Sequence, residues 1–489
     1  MTISKAKTFR NVVYSSLGKG MTLFCVALTS LVVARNLTPA DYGVVGFALI
    51  IIGFLSHFSD MGVSNAVIRR PELNQRNLET AFTLKIVLSF GAFAAAMLIA
   101  PFAWHLFDHP ATGNVIRILS LNFLVSIIGF LPQAMLTREM NYRSLVIPGV
   151  TGAAMQCILA VTLVLHGFSY WAVVIANVGA TLTAGIVMQF TKRVPIGFRF
   201  DWTDAREYLK FGIPLFSSGI LVFTIFNLDN FLVGASMGSA QLGFYALAFT
   251  WGSFICGLLG DTVNNVLFPA FSALQNDSIA VRRWYLKTVD LVAFIAVVAN
   301  GALFANANYF LVTFLGKGTG KWLPAHLALR ILCVYGIFRA VTEPLSPFLM
   351  ARGRTKTMLQ ATLLAGMFEL GLLLIAIRLR RIELVAGAVL IAYLSQAVVY
   401  LPFLRGEFAV GLGDIVAKIW PIIPALGAGW LAAFLLPYWF GNTLLTLGVR
   451  GLFTASVIAL THGLFSRFRC FQEARGMIAQ SFAREVPVL

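Results

Sequence analysis

The sequence predicts an all-α integral membrane protein of about 14 transmembrane helices, and three observations in the chain predict it. Of its 489 residues, 58% are hydrophobic and only 12% are charged, and the mean hydropathy is +0.83. A soluble domain carries about 25% charged residues, and a single soluble core stops growing near roughly 250–300 residues. The apolar sequence comes in repeated stretches of the roughly 20 residues that a spanning helix needs, without the long polar–apolar alternation of an outer-membrane barrel.

Read in order, the spans fall at 11–34, 42–65, 78–101, 114–136, 145–166, 169–190 and 211–234. They continue at 240–265, 287–313, 324–350, 357–378, 383–404, 415–438 and 443–465. Met1 to Gly20 is basic and runs into the first apolar stretch with no A-x-A cleavage pattern, so it reads as a retained first helix. The longest polar connection, Thr191 to Lys210, carries Arg193, Pro195, Arg199, Asp201 and Arg206 and reads as a linker between halves. The expected organisation is a six-helix lobe at 1–190, a cytoplasmic linker at 191–210 and a second six-helix lobe at 211–404. Two extra helices and a cytoplasmic tail follow at 405–489.

Net charge is +17, a value that on a soluble protein raises nucleic-acid binding. Here the basic residues fall in short loops, where they set orientation, and no nucleic-acid partner is expected. With the N-terminus inside, about 25 Lys and Arg lie on the inner side and about 6 on the outer. The outer six are Arg35, Lys317, Lys321, Arg378, Arg380 and Arg381. Both termini are therefore placed in the cytoplasm, which requires an even number of spans.

Leu31–Asn65 aligns without gaps onto Phe231–Asn265, keeping Val33/Val233, Ala40/Ala240, Gly43/Gly243, Ala48/Ala248 and Phe54/Phe254. The match falls on the first two helices of each half, as a six-plus-six repeat requires. Both first helices start on the same side, so the lobes are parallel and their pseudo-twofold axis runs along the membrane normal. Such lobes enclose a central cavity and give alternating access by rocking.

Three segments carry a family resemblance. Ser16–Ala48 has a small-residue-rich first helix and then the turn Ala34, Arg35, Leu37, Pro39, Asp41, Tyr42, Gly43. The second is Phe58–Arg70, and the third is Leu131–Ser144, echoed by Ser346–Thr357. The chain resembles the Wzx-type polysaccharide flippases of the multidrug/oligosaccharidyl-lipid/polysaccharide exporter superfamily. The resemblance implies a polyprenyl-diphosphate-linked oligosaccharide as substrate, moved across the cytoplasmic (inner) membrane for exopolysaccharide, lipopolysaccharide or capsule synthesis. It further implies membrane lipid as surroundings, and the polymerase and chain-length components of a polysaccharide export system as partners. A cation-coupled multidrug exporter or a peptidoglycan-precursor flippase on the same fold is the alternative. A membrane polysaccharide polymerase comes third, because it needs acidic groups in a large outer loop and the outer loops here are short.

Charges inside spans are costly, so each is a candidate site. The cations are Lys19, Lys85, Arg330 and Arg339. Lys19, about 12 Å into its helix and flanked by Gly18 and Gly20, reads either as a phosphate ligand or as a lysine snorkelling to the inner face or paired with a carboxylate. Lys85 reads as a snorkelling lysine, and Arg339 as the helical partner of Glu343. Arg330 has no partner at helical spacing but lies about 9 Å from the outer end of its span, so snorkelling is the competing reading, and Arg117 and Arg450 lie nearer helix ends.

The acids are Asp60, Asp229, Asp261, Glu343 and Glu369. Asp229, between Asn227 and Asn230, offers oxygen ligands for a coupling cation, and Glu369 offers a second such site. A salt bridge to an intramembrane cation is the competing reading for both. Trp251 and Phe254 can stack on sugars or simply pack. Cys25, Cys157, Cys256, Cys333 and Cys470 form no CxxC pair and read as packing residues. Six scattered histidines, with no HExxH and no P-loop, imply no metal, no cofactor and no enzyme.

The charge asymmetry yields a test. Reporter fusions after Lys192 and at the C-terminus should both score cytoplasmic, and one near Gly318 should score external. A cytoplasmic signal at Gly318 would overturn the topology.

Overall fold

The computed structural model describes residues 5–107, 109–273, 278–345, 349, 355–408, 411–436 and 443–466. Among them all fourteen expected spans are helices long and apolar enough to cross a membrane, and no strand occurs. The helices are α1 Lys5–Asn36, α2 Pro39–Asp60, α3 Gln75–Ile99, α4 Thr112–Arg138, α5 Tyr142–Leu165, α6 Tyr170–Thr191 and α7 Trp202–Met237. They continue as α8 Ser239–Ala273, α9 Ser278–Ala305, α10 Leu323–Thr342, α11 Thr355–Arg378, α12 Ile382–Phe408, α13 Gly413–Leu435 and α14 Leu444–Phe465.

Local chemistry sets the boundaries. Thr38 and Asp41 form a capping box, with Pro39 at the first helical position, so α2 begins before its apolar run does. It stops where Met61 and Gly62 turn left-handed, at φ 39° and 75°. Gly62 also touches backbone, since a Cβ there would lie 2.7 Å from the Gly212 Cα. The seventh helix starts nine residues earlier than hydropathy places it, at Trp202 rather than 211. Asp201 is the reason: its carboxylate accepts from the Thr203 and Asp204 N–H groups and caps a polar first turn.

The packing divides into two compact units, Met1–Ala246 and Leu247–Leu489. In the first, polar residues fasten the start of α7 to the start of α3. Asn77 donates to Asp204 at 2.9 Å, Arg70 reaches Asp204 at 2.9 Å, and the Tyr208 hydroxyl donates to the Asn77 carbonyl at 3.1 Å. Arg76 pairs with Asp201. Arg138, from the third resemblance segment, donates to the Val67 and Pro71 carbonyls at 3.3 and 2.6 Å. It thereby caps the short helix Val63–Arg69, which lies in the second segment.

The same unit shows the repeat in its geometry. α2 begins at Pro39 and α8 at Ser239, equivalent positions of the aligned copies. A Cβ on Gly43 would lie 1.9 Å from the Ser239 carbonyl oxygen, and one on Gly243 would lie 1.8 Å from the Pro39 oxygen. Each copy's glycine thus receives the other copy's helix start, a reciprocal contact of the kind a local twofold produces. Next to it Phe47 stacks on Phe107 at 4.3 Å and on Phe231 at 5.6 Å.

In the second unit, α13 is fastened to α9 by Arg282–Asp414 at 2.8 Å and by Lys418–Asp290, whose side chains are almost fully buried. Arg450 of α14 is buried and donates to the Ala433 and Leu436 carbonyls at 2.5 and 2.8 Å, capping α13. The final two helices are integral to this unit.

The glycine contact is testable. Gly43→Ala and Gly243→Ala should each lower stability by about 1–3 kcal/mol, the usual cost of overpacking. Gly20→Ala and Gly46→Ala, where a Cβ would meet nothing within 4 Å, are the controls. Thermal unfolding in detergent reads the difference, and four equal melting temperatures would contradict the contact.

Candidate functional site: intramembrane charges

In the first unit, Lys19 lies exposed on α1. Gly18 beside it packs against Val146, whereas a Cβ on Gly20 would meet nothing within 4 Å. Lys85 does not snorkel. It is 5% exposed, and its ammonium donates to the Ser59 carbonyl at 2.9 Å and approaches the Ser59 Oγ at 3.3 Å. Ser59 lies in the last turn of α2, whose carbonyls have no helical partner and carry the negative end of the helix dipole. Lys85 is therefore placed as a cap on α2. Asp60, half-buried next to it, accepts from the Ser64 hydroxyl at 2.5 Å.

Asp229 is buried on α7. Its carboxylate accepts from the Tyr245 hydroxyl at 2.5 Å and from the Asn230 amide at 3.1 Å. Among the described residues no Lys or Arg stands within ion-pair distance of it, so the structure does not bring it to Lys19 or Lys85. Asn227 turns back to the Phe223 carbonyl instead of joining the carboxylate.

In the second unit, α8 and α10 cross closely. A Cβ on Gly252 would lie 2.8 Å from the Leu332 Cβ, and one on Gly336 would lie 2.2 Å from the Gly252 oxygen. Near this crossing, Trp251 packs edge-on against Phe310 at 5.0 Å and lies 5.9 Å from Phe254. Its indole N–H is buried with no hydrogen-bond partner among the described residues. Arg330, two residues from Leu332, is half-buried with its guanidinium 5.8 Å from the Phe304 ring. Its Nε is buried without a hydrogen bond, and no carboxylate pairs with it among the described residues.

Arg339 donates to the Tyr335 hydroxyl at 3.2 Å. Glu343, just past the end of α10, packs on Gly260, where a Cβ would lie 3.2 Å from its carboxyl carbon. Glu369 is half-buried on α11. The Asp261 side chain lies outside the described residues. Asp290 is an intramembrane acid that the candidate set lacks. Its partner Lys418 is 128 residues away, so no local spacing betrays the pair. No cluster of three or more His, Cys, Asp or Glu able to hold a metal occurs among the described residues.

Fourteen apolar helices, an internal repeat on the helices that open each half, and cations kept inside apolar spans define a polytopic membrane protein built like a transporter. The matches with known proteins agree. A family described as polysaccharide biosynthesis protein matches residues 32–326, and the chain belongs to that family. It is similar to the lipopolysaccharide biosynthesis protein WzxC of Escherichia coli (strain K12), with 27% identity over 363 residues, 72% of this chain and 70% of that one. It is also similar to the succinoglycan biosynthesis transport protein ExoT of Rhizobium meliloti (strain 1021), with 23% identity over 71% of this chain and 69% of that one. Among solved structures, the lipid II flippase MurJ in an inward closed conformation superposes with a TM-score of 0.77 at 13% identity, over 93% of this chain and 99% of that one. An inward-facing multidrug-resistance MATE transporter gives 0.57 at 15% identity, over 93% and 96%. These likenesses bear out the fold class, and the family match bears out the resemblance to polysaccharide flippases.

Proposed function

We propose that this chain flips a polyprenyl-diphosphate-linked oligosaccharide across the cytoplasmic membrane, with both termini in the cytoplasm, for assembly of a surface or secreted polysaccharide. The observation that carries the reading is Arg330. A guanidinium held inside an apolar span, with no counter-charge among the described residues, is costly, and an incoming diphosphate supplies an anion through charge-assisted hydrogen bonds. Trp251 and Phe254 lie on the helix that crosses the one bearing Arg330, and the unpartnered indole N–H offers a donor to a sugar hydroxyl. Lys19, exposed beside Gly20, is the corresponding cation of the first unit.

The lobes 1–190 and 211–404 move against each other about the repeat axis and expose these cations alternately to the two faces. Outward passage of each negative charge is favoured by an inside-negative potential, by about 2.3 kcal/mol per 100 mV. Asp229, buried and lacking a cationic partner among the described residues, is the site where a proton or metal cation resets the empty carrier. Such an ion acts only through a different affinity for the two states. Polymerase and chain-length components take the product at the outer face.

Deletion of the gene, with complementation, tests the reading. Loss of surface polysaccharide together with accumulation of the lipid-linked repeat unit is expected. Arg330→Gln and Lys19→Ala should fail to restore export at normal protein level, whereas Arg330→Lys and Lys19→Arg restore part of it. Unchanged polysaccharide after deletion would overturn the function, and normal export by Arg330→Gln would remove that residue from the site.

A further inference from the structure

Between α6 and α7 the chain runs extended from Arg193 to Asp201 and lies along the first turns of α3. Three backbone groups fasten it. Gln75 donates to the Pro195 carbonyl at 3.3 Å, Thr83 donates to the Arg199 carbonyl at 3.2 Å, and the Asp201 N–H donates to the Thr80 hydroxyl at 3.2 Å. Gly197 presses on Glu79, where a Cβ would lie 2.3 Å from the carboxylate oxygen. Read along α3, the segment passes residue 75, then 79, then 83, and returns to 80.

The tip of this strap is apolar and outward-facing. The Pro195 and Arg199 carbonyls and the Asp201 N–H face α3, while Ile196, Phe198 and Phe200 alternate with them, as an extended chain requires, up to Trp202 at the start of α7. Phe198 is 80% exposed and Trp202 67%, although their rings meet Phe82 at 6.0 Å and Phe200 at 6.1 Å respectively, and so much aromatic surface left open marks a contact face. Val194, at the entry, is buried in the core beneath, and one edge of Phe198 touches that core at Phe82. Arg193, Arg199 and Arg206 are exposed around the aromatics, and no carboxylate pairs with them among the described residues. Arg206 is four residues from Trp202 and shares its face of α7.

Depth follows from α3. The continuous helical stretch it opens, Gln75–Leu106, has 32 residues and spans about 48 Å, about 18 Å more than a hydrocarbon core of roughly 30 Å. Shared between the two ends, that excess places the first turns at headgroup level and Thr83, about 12 Å along the helix, close beneath the boundary with the acyl chains. Irregular backbone is excluded from hydrocarbon but tolerated at the interface, where aromatic rings and basic residues gather.

We infer that residues 193–206 form an interfacial strap that inserts Phe198 and Phe200 among the acyl chains of one leaflet and binds anionic phospholipid headgroups through Arg193, Arg199 and Arg206. The proposed topology decides only which leaflet this is, the cytoplasmic one. Such a contact holds the connection between the two halves of the repeat on the membrane surface.

The test uses the full-length protein carrying Cys25→Ser and Cys470→Ser, which leaves three buried cysteines. Phe198→Cys is labelled with a small fluorophore, and the protein lacking that substitution gives the background. The protein is reconstituted in phosphatidylcholine vesicles containing trace lipid with a nitroxide on the acyl chain. Quenching by the acyl nitroxide and shielding from aqueous iodide are expected at position 198, with the reverse at Thr203→Cys. Nitroxide-bearing phosphatidylglycerol should quench more strongly than the phosphatidylcholine analogue. Each Arg→Gln change at 193, 199 or 206 should reduce that preference about fivefold, which converts the roughly 1 kcal/mol per basic residue near an anionic surface. Iodide access at 198 equal to that at 203 would overturn the insertion. Equal quenching by the two lipids would overturn the headgroup assignment.

Discussion

Hydrocarbon offers no hydrogen-bond partner, and every other feature of this protein is arranged around that fact. Backbone groups are satisfied by helix throughout the spans. Ionisable side chains must find a partner within the protein or serve a purpose that outweighs their cost. Most find one. Lys85 caps α2, Arg450 caps α13, and Lys418 meets Asp290 beneath the surface of the second unit. Breaking a buried pair of this last kind leaves an uncompensated charge at a cost of about 3–5 kcal/mol. Structural use of these groups narrows the functional candidates, and Arg330 and Asp229 stand out because no opposite charge answers either among the described residues.

The hydropathy pattern made the spans legible because their length is imposed by the bilayer rather than by tertiary packing. The repeat was legible for a related reason. Gly43 and Gly243 each have to admit a carbonyl oxygen where any side chain would collide, so both copies kept the residue. Helix ends were less legible where polar capping overrides hydropathy. Asp201 starts α7 inside a stretch whose charge reads as linker, and that stretch proves to be clasped to α3 through Asn77, Thr80 and Thr83.

Pairings between distant residues could not be read from the sequence. Arg70 with Asp204 and Asp290 with Lys418 join positions more than a hundred residues apart, and local spacing carries no sign of them. Lys85 is not legible on the same ground, because a lysine about 10 Å into the span predicted at 78–101 can snorkel and only the fold reveals the α2 terminus within its reach. Arg330 is the opposite case. The absence of a partner at helical spacing held in three dimensions among the described residues, which is why its sequence-level candidacy survives.

The central claim, that the carrier passes a diphosphate-linked sugar head across lipid while sheltering it with intramembrane cations, is most directly measured in vesicles. Purified protein is reconstituted with a polyprenyl-diphosphate oligosaccharide initially confined to one leaflet, and an impermeant glycosidase reports headgroups reaching the other. The account predicts protein-dependent, time-dependent cleavage that quickens when the potential favours anion movement toward the enzyme and collapses in Arg330→Gln. Cleavage no faster than in protein-free vesicles, at any potential, would contradict it.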